Sequence, residues 1–599
     1  MKRFKNFFST MFGRLGEPKT SEQRRGSTPA AEPKQGSDAE PLPGLTYRKG
    51  DFIGQKYEVY GVLGIGGFGV VYLVYSHETE SVYALKTFRD EYLEDAETRE
   101  RFRREAQLWV DLERHPYLVR AYFVDEVAGR LYIAMEYVAP DEQGLNSLDG
   151  YLKRQPPDLA QSLRWAIQFC HGMEYACSRG IRSHRDITPA NIMISQDKTV
   201  KISDFGLAGV CGTSNGIFRI NPRVEQRSLR LSDQTMEGAS FGTPTHMPPE
   251  QFSNAEECDE RSDVYSFGIV LYQMATGGQL PFLMPPPTES SEEEARRLWT
   301  GMYRLHSDSP VPRLNSPLFP IIQRCLAKKP RKRYPTFKEV RKDLELLLQR
   351  ETGEAIKPPE LRELEAWEWC HKGISLGRLG RFEEALRCHD ETLKLNPRYT
   401  TAWINKGYSL SDLGRLAEAL GCLESALELD PRNVAAWINM GVSRNNLGRF
   451  EEALGCFEKA LELDPRHAAA WINTGVSLNN LSRFEEALGC LESAVELDPQ
   501  NATAWVNKGV SLNNLGRFEE ALRCCDRSLA LDPRFAHAWL IKAYAEEQLG
   551  RQGDAIRSYQ QFLTLLHGQD TIWIEYARQR LRNLEGKRFS FCRRKPTGV

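Results

Sequence analysis

The stretch HRDITPANIMISQDKTVKISDFG, residues 184–206, decides how the chain is read. It sets Asp186 and Asn191 five residues apart and brings Asp204, Phe205 and Gly206 in after a short hairpin pattern. Upstream, Leu63 to Val71 reads LGIGGFGVV, a GxGxxG at Gly64, Gly66 and Gly69 that also contains Ile65, Gly67 and Phe68. Alone the triplet is weak, because dinucleotide-binding turns and ordinary hairpins carry glycines at the same spacing. The residues beyond it separate these readings. No helical pattern opens after Gly69; VVYLVY runs on as a strand, and a second strand, SVYALK, brings Lys86 seventeen residues past the last glycine. Ala84 leaves room for a flat base under this hairpin, and Lys86 supplies a point charge for phosphate oxygens. In the helical stretch ETRERFRREAQLWVDLE, residues 97–113, Phe102, Ala106, Leu108 and Trp109 suggest an inward stripe beside Glu105, which can then pair with Lys86.

Taken together, these motifs resemble the catalytic domain of eukaryotic-type protein kinases in order and in spacing. The resemblance covers residues 57–348 and includes GTPTHMPPE, ending at Glu250, and DVYSFG, residues 263–268. It implies a two-lobed α+β fold and an ATP-dependent transfer of the γ-phosphate to protein hydroxyls, autophosphorylation included. By that likeness the glycine loop, with Leu63 and Val71 at its ends, covers ATP, Lys86 meets the phosphates and Glu105 holds the lysine. Ala84 lines the base pocket, Met135 is the gatekeeper, and Glu136 and Val138 offer backbone groups to adenine. Asp186 becomes the base, Asn191 and Asp204 hold Mg2+, and Glu250 pairs with Arg333. Pro189, Asn191 and Thr243 look like the serine/threonine group.

Three departures from the family pattern stand out. Thr188 occupies the place of a lysine that touches the γ-phosphate, and losing such a charge could lower activity. Pro248 replaces an alanine. The segment from Asp204 to Glu250 is long, 47 residues, and carries Ser228, Ser232, Thr235 and Ser240 among four arginines. It reads either as a phosphorylation switch with Arg185 as the phosphate's partner, or as a plain insertion.

The second half is periodic. Tryptophans at 369, 403, 437, 471, 505, 539 and 573 stand 34 residues apart, and Pro397, Pro431, Pro465, Pro499 and Pro533 keep the same step. A period such as AWINMGVSRNNLGRFEEALGCFEKALELDP, residues 436–465, gives two amphipathic helices, a turn at LGRF, and a proline that ends the second helix. The pattern resembles the tetratricopeptide repeat, and implies an all-α solenoid of six repeats over 366–567 with a capping helix over 568–586. Cys388, Cys422, Cys456, Cys490 and Cys524 recur on the second helix as small core residues. Asn405, Asn439, Asn473 and Asn507, with Asn446, Asn480 and Asn514 on the same face, form either an amide ladder for an extended peptide in the groove or simply a habit of this repeat position.

Outside these two regions, residues 1–46 begin with a basic head and continue as a polar tether too poor in apolar surface to fold alone. Phe4, Phe7, Phe8, Met11, Phe12 and Leu15 share one helical face, so residues 1–15 suit either an anionic membrane surface or a protein docking site. Residues 349–365 read as a linker and 587–599 as a basic tail. A chain of 599 residues is multidomain, and 79 basic against 81 acidic residues argue against bulk nucleic-acid binding. Thirteen cysteines without a CxxC suit reduced thiols and a cytoplasmic setting. Two functions remain open: a signalling kinase whose repeats recruit protein substrates or regulators, or a kinase-fold scaffold whose repeats are the working part.

Overall fold

The computed structural model describes residues 47–66, 69–92, 95–127, 129–205, 209–210, 244–254, 257–285, 292–360, 362–566 and 572–592. The head and tether, Gly67, Phe68 and Gly206 lie outside these residues, as do Thr243 and the candidate phosphosites Ser228, Ser232, Thr235 and Ser240.

One compact unit runs to Arg381 and a second begins at Phe382. The first opens with a six-stranded antiparallel sheet in the order β1-β2-β3-β4-β6-β5. Its strands are β1 (Phe52–Ile53), β2 (Tyr57–Ile65), β3 (Gly69–Ser76), β4 (Ser81–Phe88), β5 (Ala121–Val127) and β6 (Arg130–Met135). Alternation makes the inner face: Val70, Tyr72 and Val74 on β3 are buried with Leu85 and Tyr132, as the two-residue period of a half-covered strand requires. Tyr47 and Ile53 join this core, so the lobe starts before Tyr57, the boundary expected from sequence. Helix α1 (Ala96–Leu112) carries Glu105 to the sheet.

The larger lobe is helical. It contains α2 (Leu148–Arg154), α3 (Leu159–Ser178), α4 (Pro249–Ser253), α5 (Glu260–Thr276), α6 (Glu292–Asp308), α7 (Phe319–Cys325) and α8 (Phe337–Thr352). Asp158 caps α3, and Asp259 with Ser262 forms a capping box on α5, each satisfying amides that a helix start leaves unpaired. The short strand β7 (Ile181–Ser183) leads into the catalytic stretch, and β8 (Ile192–Ile194) and β9 (Val200–Ile202) form the hairpin expected between Asn191 and Asp204. Strand β10 (Gly209–Val210) pairs with β7.

A helix begins at the expected boundary, residue 366. Helix α9 (Ala366–Arg378), the first helix of the first repeat by spacing, belongs to the catalytic unit because polar and charged side chains tie it to β5. The linker is also shorter than expected, since α8 runs to Thr352 and stops at Gly353, whose φ of 75° is left-handed.

The second unit opens with α10 (Phe382–Leu395) and continues as five helical hairpins. These are α11 (Thr400–Asp412) with α12 (Leu416–Leu429), α13 (Val434–Asn446) with α14 (Phe450–Leu463), and α15 (Ala468–Asn480) with α16 (Phe484–Leu497). The last two are α17 (Ala502–Asn514) with α18 (Phe518–Leu531) and α19 (Ala536–Gln548) with α20 (Gln552–Leu565). Closing the stack, α21 (Ile572–Cys592) extends past the capping helix expected to end at 586. The two 34-residue rows are one device: Trp403, Trp437, Trp471, Trp505 and Trp539 donate Nε1–H to the carbonyls of Pro397, Pro431, Pro465, Pro499 and Pro533 at 2.9–3.0 Å. Cys388, Cys422, Cys456 and Cys524 are buried as expected, and Cys490 is half-buried.

Close approach depends on a glycine, Gly407, Gly441 or Gly475, in the first three hairpins, whereas the last has Ala543 at that place. A Cβ at Gly441 would lie 2.5 Å from Cε1 of Phe457, on the facing helix. Gly441→Ala is therefore expected to destabilise the repeat unit by about 1–3 kcal/mol, the usual range for overpacking, read as a lower denaturant midpoint with an unchanged slope.

Candidate active site

The strand pair β3 and β4 places Lys86 opposite Val71, and α1 brings Glu105 to meet it. Lys86 Nζ lies 2.6 Å from Glu105 Oε1 and 2.8 Å from Asp204 Oδ1. Burial disfavours the charge on Lys86, but the carboxylates of Asp204 and Glu105 outweigh it and hold the ammonium above its ordinary value. The lysine is thus a fixed cation on the inner side of the cleft. A side chain at Gly69 would crowd this geometry, since a Cβ there would lie 3.1 Å from the Thr87 carbonyl. Gly66 N–H donates to Gly69 O at 2.8 Å, closing the turn of the loop.

The catalytic stretch is held by a residue whose role was not foreseen. Asp263, nearly fully buried on α5, accepts from the backbone N–H of His184 at 2.7 Å and of Arg185 at 3.0 Å, and from Ser183 Oγ at 3.0 Å. Burial still pushes its carboxyl up to about 7. This grip holds Arg185 at a φ of 66°, a left-handed conformation rare in non-glycine residues, just before Asp186. The motif DVYSFG was legible, but nothing in its letters says what Asp263 touches.

Asn191 donates Nδ2–H to both the carbonyl and Oδ2 of Asp186, each at 2.9 Å. Burial, then the nearby Asp204 charge, push the Asp186 carboxyl up to about 6, near the range that suits a base at neutral pH. Asp204 also has a left-handed φ, 61°, and the following Phe205 is buried between Trp109 and His184, with ring centroids 5.2 and 4.6 Å away. Burial keeps the His184 imidazole neutral, pushed down to about 4.

Where the base pocket is expected, Ala84 pairs across the sheet with Met135, and both are buried. The Glu136 N–H donates to Arg120 O at 2.7 Å, and the Val138 carbonyl accepts from Asn146 Nδ2 at 2.9 Å. Glu250 and Arg333 form the expected pair with two contacts, 2.6 and 3.0 Å, around a guanidinium with no exposure. Thr188 sits half-buried before the turn Pro189–Asn191 and makes no cap hydrogen bond.

A divalent cation fits the donor set. Asp204 offers a half-exposed carboxylate, and Asn191, its amide N–H spent on Asp186, keeps a carbonyl-type oxygen; both are the hard ligands that Mg2+ prefers. Among the described residues no group of three or more His, Cys, Asp or Glu could hold a metal by itself. Retention would therefore depend on phosphate oxygens supplied with the nucleotide.

The asparagine ladder needs correction. Asn405, Asn439, Asn473 and Asn507 are buried, and Asn405, Asn473 and Asn507 donate their side-chain N–H to the carbonyl four residues back. A neighbouring row missed in the sequence ties repeats together: Ser477 donates to Asn445 Oδ1 at 2.9 Å and Ser511 to Asn479 Oδ1 at 3.0 Å. Asn405, Asn473 and Asn507 thus spend a side-chain N–H within their own helices.

Comparison with known proteins gives the same two kinds of region, with the repeat match beginning inside α9. Residues 57–344 match the family described as protein kinase domain, and residues 371–434, 404–453, 439–502 and 502–535 match tetratricopeptide repeat families. The chain is 33% identical over 297 residues to serine/threonine-protein kinase PknB of Mycolicibacterium smegmatis, covering 49% of this chain and 43% of the relative. It is 33% identical over 296 residues to PknB of Mycobacterium leprae, covering 49% and 43%. With PknB of Mycobacterium tuberculosis it shares 32% over 316 residues, covering 51% and 45%. The chain thus spans less than half the length of these relatives. Residues 57–344 thus match a protein kinase domain and are similar to bacterial serine/threonine kinases, and the later residues match tetratricopeptide repeats.

Proposed function

We propose that the protein transfers the γ-phosphate of ATP, with Mg2+, to serine or threonine hydroxyls of proteins, and that its repeats recruit substrate or regulator. The observation that carries this reading is the assembled pair of clusters, Lys86 with Glu105 and Asp204, and Asp186 with Asn191. A scaffold with a lapsed catalytic lobe has no reason to keep all five in register. Lys86 holds the triphosphate, and the Glu136 carbonyl and Val138 N–H orient adenine. Asp186 takes the acceptor hydroxyl's proton as that oxygen approaches phosphorus. Asn191 and Asp204 would hold Mg2+, which would supply positive charge against that gathering on the transferred group. Thr188 adds no cation beside the phosphates, so turnover is modest.

The test is incubation of the full chain and a protein acceptor with labelled ATP, with and without Mg2+, followed by analysis of the phosphorylated residue type. Mg2+-dependent label on serine or threonine is expected. Label on tyrosine alone, or none, would overturn the reading.

A further inference from the structure

Resting on that catalytic reading, we propose that α9, assigned to the repeats by its spacing, works as a brace of the catalytic lobe, with Arg381 just after it a positioning residue. Together they fasten the carboxyl end of α1 and thereby hold Glu105 against Lys86.

Two sets of contacts make the brace. The first closes the outer strand of the sheet. An edge strand presents backbone groups with no neighbouring strand to meet them. On β5, Val124 N–H donates to Ser375 Oγ at 2.9 Å and Val124 O accepts from Arg378 Nη1 at 2.8 Å. Arg378 also meets the buried carboxylate of Asp125 at 2.8 Å, which receives Lys56 at 2.9 Å as well. The second set reaches α1 and the residue after it. Arg381 contacts both oxygens of Asp111 at 2.9 Å, Lys372 meets Glu113 at 2.5 Å, and Arg103 donates to Leu379 O at 3.4 Å. Arg103 and Asp111 flank Glu105 on the same helix, so ties at both points resist its tilting or sliding.

Independent support comes from where α9 departs from the other repeats. Glu368 occupies the place of Ala402, Ala436, Ala470, Ala504 and Ala538, all fully buried between helices. A carboxylate at that place would be an unpaired buried charge in an ordinary repeat. Here its side chain is 2% exposed and is met by Arg120 and Arg114 of the catalytic lobe. Arg378 likewise stands where later repeats have Asp412, Asn446, Asn480, Asn514 and Gln548. The first helix keeps the repeat's tryptophan and glycine but has exchanged its contact residues for ones complementary to the small lobe.

The test uses the full chain and three variants: Arg381→Asp, Asp111→Arg with Arg381→Asp, and Arg381→Lys. Steady-state kinetics give kcat and the KM for ATP, and hydrogen exchange follows the amides of α1. Arg381→Asp is expected to lower kcat/KM for ATP roughly fivefold or more, the low end of coupling between linked sites, and to speed exchange in α1. The double exchange and Arg381→Lys should restore both towards parent values. Unchanged kinetics and exchange in Arg381→Asp, or a double variant no better than the single one, would overturn the proposal. Exchange in α1 is read without turnover, so an inactive parent chain would refute the catalytic reading while the brace was still judged.

Discussion

Asp186→Asn in the full chain is expected to lower kcat by roughly 10² to 10⁴ while nucleotide binding is kept, the range for removing a positioned general base. The substitution nearly preserves shape, and an amide oxygen can still accept the 2.9 Å hydrogen bond from Asn191. What it removes is a site able to take a proton from the acceptor hydroxyl. Lys86, Glu105 and Asp204 stay in place, so affinity for a fluorescent ATP analogue should change little. Single-turnover transfer separates the two effects. A variant that transfers phosphate at the parent rate would remove Asp186 from the base role.

The largest stability effect is expected from Arg333→Ala. The Arg333 guanidinium is wholly buried and meets Glu250 twice, while also donating to Ala327 O at 2.8 Å, Arg261 O at 3.1 Å and Lys328 O at 3.2 Å. Deleting it strands the Glu250 carboxylate, with only the Ser262 hydroxyl left among these partners, and uncaps three carbonyls. Removing one member of a buried pair costs about 3–5 kcal/mol, most of it the penalty on the member left behind. Melting of the catalytic unit should fall by on the order of 10 °C, read by calorimetry as a shift in one transition. Glu250→Gln, which keeps an acceptor facing the guanidinium, should cost less. A melt that does not move for Arg333→Ala would show that the large lobe does not depend on this pair.

Much of the catalytic cluster was legible because its chemistry demands particular side chains at particular separations. Lys86, Glu105, Asp186, Asn191 and Asp204 each have few substitutes, so the letters and spacings carry the site even though β4, α1 and the stretch 184–206 are far apart in the chain. Asp263 was less legible. Its work is done on backbone amides, which leave no trace in the residues they belong to. The asparagine rows stayed open for a related reason: an amide on a helix can serve a peptide ligand or the carbonyl four residues back, and its residue type is the same in both.

The sequence by itself determined the two kinds of unit, the catalytic side chains and the 34-residue repeat, since periodicity and motif spacing are local properties that survive without coordinates. Only the tertiary structure decided which unit owns α9. A helix keeps its 3.6-residue pattern whichever neighbour it packs on, and ownership depended on Glu368, Arg378 and Arg381 finding opposite charges more than two hundred residues earlier in the chain.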